Sequence, residues 1–129
     1  MIGYVSDIEA KTLNNSFFRE VLFTGKYAQL VVMSLGPNEE IGMEVHETVD
    51  QFFRVEKGQG KIIMNGEENE IKDGTAIIVP AGTNHNLINT SATESLKLYT
   101  VYSPPNHPEG TVHKDKAEAM AAEEAEHHA

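Results

Sequence analysis

Cysteine is absent from the 129 residues, and basic side chains are scarce: ten Lys and Arg stand against twenty Asp and Glu, for a formal net charge of −10. Without a thiol there is no disulfide framework, no thiolate metal site and no cysteine nucleophile. Any metal must then be held by imidazole, carboxylate or amide groups. The excess of negative charge repels phosphate backbones and anionic lipid headgroups, so neither nucleic acid nor a membrane is an expected partner. No stretch approaches the roughly 18 apolar residues of a membrane span. The first residues, Met1-Ile2-Gly3-Tyr4-Val5-Ser6-Asp7, lack the basic start and apolar run of a secretion signal. A cytoplasmic location is the expectation. Part of the negative charge sits at Glu118, Glu123, Glu124 and Glu126 among the alanines of the tail, so net charge says little about a ligand. Asn14 and Asn89 each begin an Asn-x-Ser/Thr triplet, but without a secretion signal a sugar-acceptor role is set aside.

Long amphipathic segments are equally scarce. Between Lys26 and Lys116 the chain is a series of short β-rich runs separated by turn signals, which reads as an all-β body. The expected strands are 27–35, 44–46, 52–55, 60–64, 70–71, 76–79, 85–89 and 96–102. Asn65-Gly66 is a hairpin signal, because both central positions of a type I′ turn need positive φ. Further turns are expected at Gly36-Pro37-Asn38, Lys57-Gly58-Gln59-Gly60, Asp73-Gly74 and Ala81-Gly82-Thr83. The organisation reads as an N-terminal arm or strand over 1–25, a barrel or sandwich over 26–113, and a C-terminal helical tail over 114–129. Phe17, Phe18, Val21, Leu22 and Phe23 are too apolar for a solvated arm, which suggests an edge strand or a homodimer contact. The tail is rich in Ala, Glu and Lys and reads as a solvated helix. His127-His128 is expected to be exposed and not a site.

Two motifs carry the chemistry. The first to stand out is Gly74-x5-Pro80-x-Gly82-x2-His85-x3-Asn89, a β-branched strand, a tight turn and a second strand bearing a histidine. The other is Glu44-x-His46-x4-Gln51-x6-Gly58. Residues two apart on a strand share a face, so Glu44 and His46 can project together, about 7 Å apart along it. Gln51, Phe53 and Val55 form the next same-face set, and His85 approaches from a partner strand. Three or four N/O donors without sulfur suit Fe, Mn, Ni, Zn or Co.

The Gly74-to-Asn89 motif resembles the second conserved motif of the cupin superfamily at every fixed position. The Glu44 segment is similar to the other cupin motif, ordinarily Gly-x5-His-x-His-x(3 or 4)-Glu-x6-Gly, with Glu44 at the first His, Gln51 at the Glu and Asn38 at the leading Gly. The resemblance implies a double-stranded β-helix, the cupin jelly-roll barrel, with a short C-terminal helix and one divalent metal ion held by Glu44, His46, Gln51 and His85. One carboxylate remains in that set, so its charge equals that of the usual three-His, one-Glu site. Glutamine at the Glu position also occurs in uronate-linearising enzymes and some dimethylsulfoniopropionate lyases. A competing register makes His46 the first His and Thr48 the second, and loses a ligand. Glu44 stands open between ligand, catalytic base and rim carboxylate. Small cupins similar to this one from Glu20 to roughly Lys116 carry the label mannose-6-phosphate-isomerase-like.

Pocket candidates are Phe53, Met33, Tyr99, Tyr102 and His107, with His113 beside them. Alternation along 96–102 puts Tyr99 and Tyr102 on opposite faces, so at most one looks inward. The Pro104-Pro105-Asn106-His107-Pro108 loop is either a lid or an ordinary surface loop. Three functions are in play. One is metal-dependent isomerase or lyase chemistry on a small polar organic substrate through a carbonyl or enolate oxygen, with Glu44 as base if it is not a ligand. The others are an Fe or Mn dioxygenase and a non-catalytic small-ligand binder. Phosphosugar isomerisation is disfavoured because no basic cluster is expected at the mouth, Arg54 being an outward candidate only.

Overall fold

A computed structural model describes residues 2–128, with Glu126, His127 and His128 described by backbone alone, so the side chains of the terminal His pair lie outside the described residues. The chain runs α1 (Ile8–Asn14), β1 (Arg19–Thr24), β2 (Gln29–Leu35), β3 (Asp50–Lys57), β4 (Gln59–Met64), β5 (Glu67–Lys72), β6 (Ala76–Val79), β7 (His85–Asn89), β8 (Leu96–Ser103), β9 (Val112–His113) and α2 (Lys116–His128). The strands form a six-stranded sheet in the order β6-β3-β8-β2-β1-β9 and a three-stranded sheet in the order β5-β4-β7. This is the expected double-stranded β-helix. The turn residues explain its corners. Asn65 and Gly66 have φ of 49° and 84°, the two positive values a type I′ hairpin requires between β4 and β5.

Register sorts the side chains of the large sheet into rows. Facing inward, Val55 lies opposite Leu98, Leu98 opposite Met33, and Met33 opposite Arg19. Two residues along come Phe53, Thr100, Val31 and Val21, and two further Gln51, Tyr102 and Gln29. Leu87, Ile62 and Ile71 close the core from the smaller sheet. Each fully buried aliphatic or aromatic side chain contributes roughly 1.5–3 kcal/mol of transfer free energy, so these rows hold the two sheets together. The outward face carries a second row across five strands, Ile78, Phe52, Val101, Leu30 and Phe23.

Several expectations are corrected. The strand expected at 44–46 is reduced to single bridges at Glu40 and Glu44, opposite Ile88 and His85. Gly42, at φ 104°, breaks the extended run between them. The segment still lies along β7 through backbone bonds from Ile41 to Leu87 and between Glu44 and His85. Of the two readings of the N-terminal region, the strand is found: β1 sits in the large sheet between β2 and β9. Phe18 and Val21 are buried within their own chain, which removes the reason for placing them against a partner. Helix α1 was not anticipated: at seven residues it is too short to show a period, and Asp7 caps it by accepting from the Ala10 amide. Helix α2 is not merely solvated, for Ala119 is packed into the core cluster. Asn89 is buried, donating to the carbonyls of Leu35, Gly36 and Glu94, so it is no sugar acceptor. Among the described residues no helix is long and apolar enough to cross a membrane.

Candidate functional site

The Pro80-Ala81-Gly82 turn between β6 and β7 does more than reverse the chain. Its Gly82 amide donates to the His46 carbonyl at 2.8 Å, and the Ala81 amide donates to Asp50 Oδ1 at 2.8 Å. The complete motif thereby clasps the irregular segment that carries the incomplete one. His85 opens β7, and its Nδ1 lies 2.9 Å from the Thr83 carbonyl. A carbonyl can only accept, so Nδ1 carries the proton and Nε2 is left as an electron-pair donor, the arrangement metal-binding imidazoles use.

The other predicted donors gather around it. Glu44 is bridged to His85 through the backbone, and the rings of His46 and His85 have centroids 5.4 Å apart. His46 Nε2 and Glu44 Oε2 approach to 3.1 Å, in a geometry that is not a hydrogen bond. Gln51, 3% exposed at the start of β3, donates through Nε2 to Thr100 Oγ1 at 3.0 Å, while its Oε1 is buried without a partner. Tyr102 stands opposite Gln51 across β3 and β8, edge-on to His46 with centroids 5.9 Å apart. The Tyr102 hydroxyl meets His107 Nε2 at 3.2 Å. The loop bearing His107 is no free surface loop: Gln29 Oε1 accepts from the amides of Asn106 and His107, and Gln29 Nε2 donates to the His107 carbonyl at 2.8 Å.

Among the pocket candidates, Phe53 and Met33 are fully buried in the core and form the floor below the Gln51 row. Tyr99 is not in the interior. It lies on the outer face against Phe52, with centroids 6.2 Å apart, because alternation assigns the inward position to Tyr102. Arg54 is also on the outer face, opposite Tyr99 and 3.3 Å from Glu56.

The electrostatics of the mouth are uneven. Burial alone raises the pKa of Glu44, but His46 beside it, with Arg19 and His85, more than offsets this and holds the carboxyl below its usual range. Burial pushes the Tyr102 hydroxyl upward, partly opposed by Arg19, so it remains a neutral donor. Burial also drives His107 down to about 3, aided by Arg19, so it is neutral at ordinary pH. Arg19 was missed as a site residue, and the mouth does hold a cation. Its signal in the sequence was an Arg in phase with the inward Val21 inside an apolar strand.

Gln51 Oε1 is buried and unsatisfied, His46 Nε2 meets only the Glu44 carboxylate, and His85 Nε2 is left as an electron-pair donor, which fits an N/O metal site. The side chains do not yet converge: among the described residues no three His, Cys, Asp or Glu groups are arranged to hold an ion. Glu44 and His46 lean on each other instead.

The sequence profile described as the cupin domain matches residues 31–102, from β2 through β8 and across both motifs. The chain belongs to the cupin family. It is 50% identical over 127 residues to the uncharacterized protein YrkC of Bacillus subtilis, covering 94% of this chain and 68% of YrkC. The crystal structure of BH2720 from Bacillus halodurans superposes with a TM-score of 0.89 at 46% identity, over 92% of this cupin and 93% of that chain. A more distant cupin-fold neighbour is a predicted oxalate decarboxylase from Thermotoga maritima, with a TM-score of 0.58 at 25% identity over 62% of this chain and 69% of that one.

Proposed function

We propose that this cupin is a metal-dependent protein acting on a small polar organic substrate, with Glu44, His46, Gln51 and His85 as its donor set. The observation that carries the reading is Gln51 Oε1, a buried oxygen with no hydrogen-bond partner at the rim of a cluster of two imidazoles and a carboxylate. An unsatisfied buried acceptor costs about 1–3 kcal/mol, a cost that is relieved when something outside the protein satisfies it. A bound divalent ion such as Mn, Fe, Ni, Zn or Co supplies Lewis acidity toward a carbonyl or enolate oxygen.

The chain's own groups define the rest. Glu44, kept ionised, serves as a donor or as a proton acceptor. The neutral Tyr102 hydroxyl and neutral His107 offer hydrogen bonds from the opposite wall. Phe53, Val31 and Met33 close the floor and exclude water from below. These roles suit isomerase or lyase chemistry, in which a proton moves near a polarised oxygen.

Metal analysis after supply of Mn, Fe, Ni and Zn tests the site. The expected result is close to one ion per chain, lost in the His46→Ala/His85→Ala double variant. Protein that takes up none of the four sinks the donor set. Turnover with Zn under anaerobic conditions supports isomerase or lyase chemistry over a dioxygenase. We further propose a homodimer, supported by the apolar outward row ending at Ile78, which is 66% exposed. A monomer mass in sedimentation equilibrium overturns it.

A further inference from the structure

We propose that Arg19 is an anchor for the carboxylate of a small organic acid inside the barrel mouth, so that the substrates of this cupin are anions. The proposal rests on the mouth being the substrate pocket, and is independent of which metal it holds.

Arg19 occupies the inward row of the large sheet, opposite Met33 and His113, and is 1% exposed. Its Nη1 donates to His113 Nδ1 at 3.1 Å, its Cζ lies 5.3 Å from the centroid of the Phe18 ring, and its Nε is buried without a partner. The nitrogen that accepts from a guanidinium is unprotonated, so His113 meets it as a neutral ring and brings no anion. Nη1 reaches Glu123 Oε1 of α2 only at 4.0 Å, the outer limit of an ion pair, and that side chain is 47% exposed. A buried cation is costly unless a close, well-hydrogen-bonded anion compensates it. Glu44 offsets part of that cost, but the Arg19 Nε hydrogen has no partner, so the fork is incompletely used.

The direction of the charge matters as much as its burial. Arg19 stands on the same inward face of the large sheet as Tyr102 and Gln51, and its charge partly opposes the upward shift of the Tyr102 hydroxyl, so the guanidinium is turned toward the mouth. A planar carboxylate matches the planar guanidinium fork bidentately, which a neutral sugar does not. A phosphate dianion brings a second negative charge toward Glu44 with only one cation to balance it. Glu123, standing between Arg19 and solvent on α2, marks the approach and competes with the incoming carboxylate.

Calorimetric titration of EDTA-treated protein with pyruvate, pyruvamide and inorganic phosphate tests this, because the first two differ only in the charged group. The expectation is that pyruvate binds about tenfold more tightly than pyruvamide, the scale of one charge-assisted contact. Glu123→Gln then strengthens pyruvate severalfold and leaves pyruvamide unchanged, and Arg19→Gln abolishes the preference. Should Arg19→Gln fail to fold, Glu123→Gln, at an exposed position, still decides. Equal binding of the two probes, pyruvate affinity unmoved by Glu123→Gln, or phosphate binding more tightly than pyruvate each overturns the proposal. Metal uptake is measured on portions of the same preparations resupplied with Mn, Fe, Ni and Zn: protein that takes up none of the four but prefers pyruvate sinks the donor set and leaves the anchor, and protein that takes up metal but lacks the preference does the reverse.

Discussion

Val55, Leu98, Met33 and Phe53 hang from the same face of one sheet as Gln51, Tyr102 and Arg19, yet the two groups meet opposite conditions. The apolar rows are fully buried, and their packing leaves no polar demand unmet. At the mouth, Gln51 Oε1 and Arg19 Nε are buried without partners, and His46 Nε2 is pressed against Glu44. One region of the barrel is therefore optimised for stability, and the other holds unsatisfied groups that a ligand can complete. Such a division is expected where function and packing compete within one small fold.

The comparison breaks most visibly at the floor. Phe53→Ala removes a fully buried ring and leaves a cavity, and is expected to cost about 3–5 kcal/mol in urea denaturation of metal-free protein; a loss below about 1 kcal/mol contradicts the assigned core. At the mouth, Gln51→Leu combined with Thr100→Val removes both partners of the 3.0 Å hydrogen bond together with the orphan oxygen. Replacing both partners by apolar groups is nearly neutral. Stability is then expected within about 1 kcal/mol of wild type while metal uptake falls, and unchanged metal uptake removes Gln51 from the donor set.

A finer probe is pH. His107 resists protonation in the folded state down to about 3, whereas in the unfolded chain it takes up a proton near 6.5. The unfolded state thus binds more protons between those values. His107 therefore lowers stability as pH falls below 6.5, and its effect levels off near 3. The decline is expected to be shallower in His107→Gln, followed by thermal melts of metal-free protein, and identical slopes refute the burial of a neutral ring. The smallest effect is expected outside the barrel. At protein concentrations low enough to dissociate the proposed dimer, Ile78→Thr, on the exposed outer row, changes stability in urea denaturation by no more than roughly 0.5 kcal/mol, and a larger loss contradicts the exposure of this side chain in the monomer.

Local pattern carried much of the fold. Strands β6 and β7 lie at the expected residues, and the Asn65-Gly66 turn has the positive φ values its sequence calls for. Alternation alone separated Phe53 from Phe52, and it limited the inward tyrosines of 96–102 to one. Three features escaped for different reasons. Helix α1 spans too few residues to show a period. The 40–46 segment is held by two single bridges and a handful of backbone bonds to β7, contacts far away in the chain. The docking of His107 depends on Gln29, 78 residues away, which nothing in the loop itself announces.

The feature that most changes the chemistry is Arg19. Its sequence context, Phe17-Phe18-Arg19-Glu20-Val21, places it in a strand, and a charged residue in a strand is ordinarily turned to solvent. Only the pairing of β1 between β2 and β9, with α2 laid over that end, turns the guanidinium inward, onto His113 and toward Tyr102. What the amino-acid sequence determined by itself was the alternation, the turns and the motif spacing, because these depend on neighbours a few residues apart. What the tertiary structure alone decided was which buried polar atoms are left without partners, because satisfaction of a donor or acceptor depends on everything packed around it.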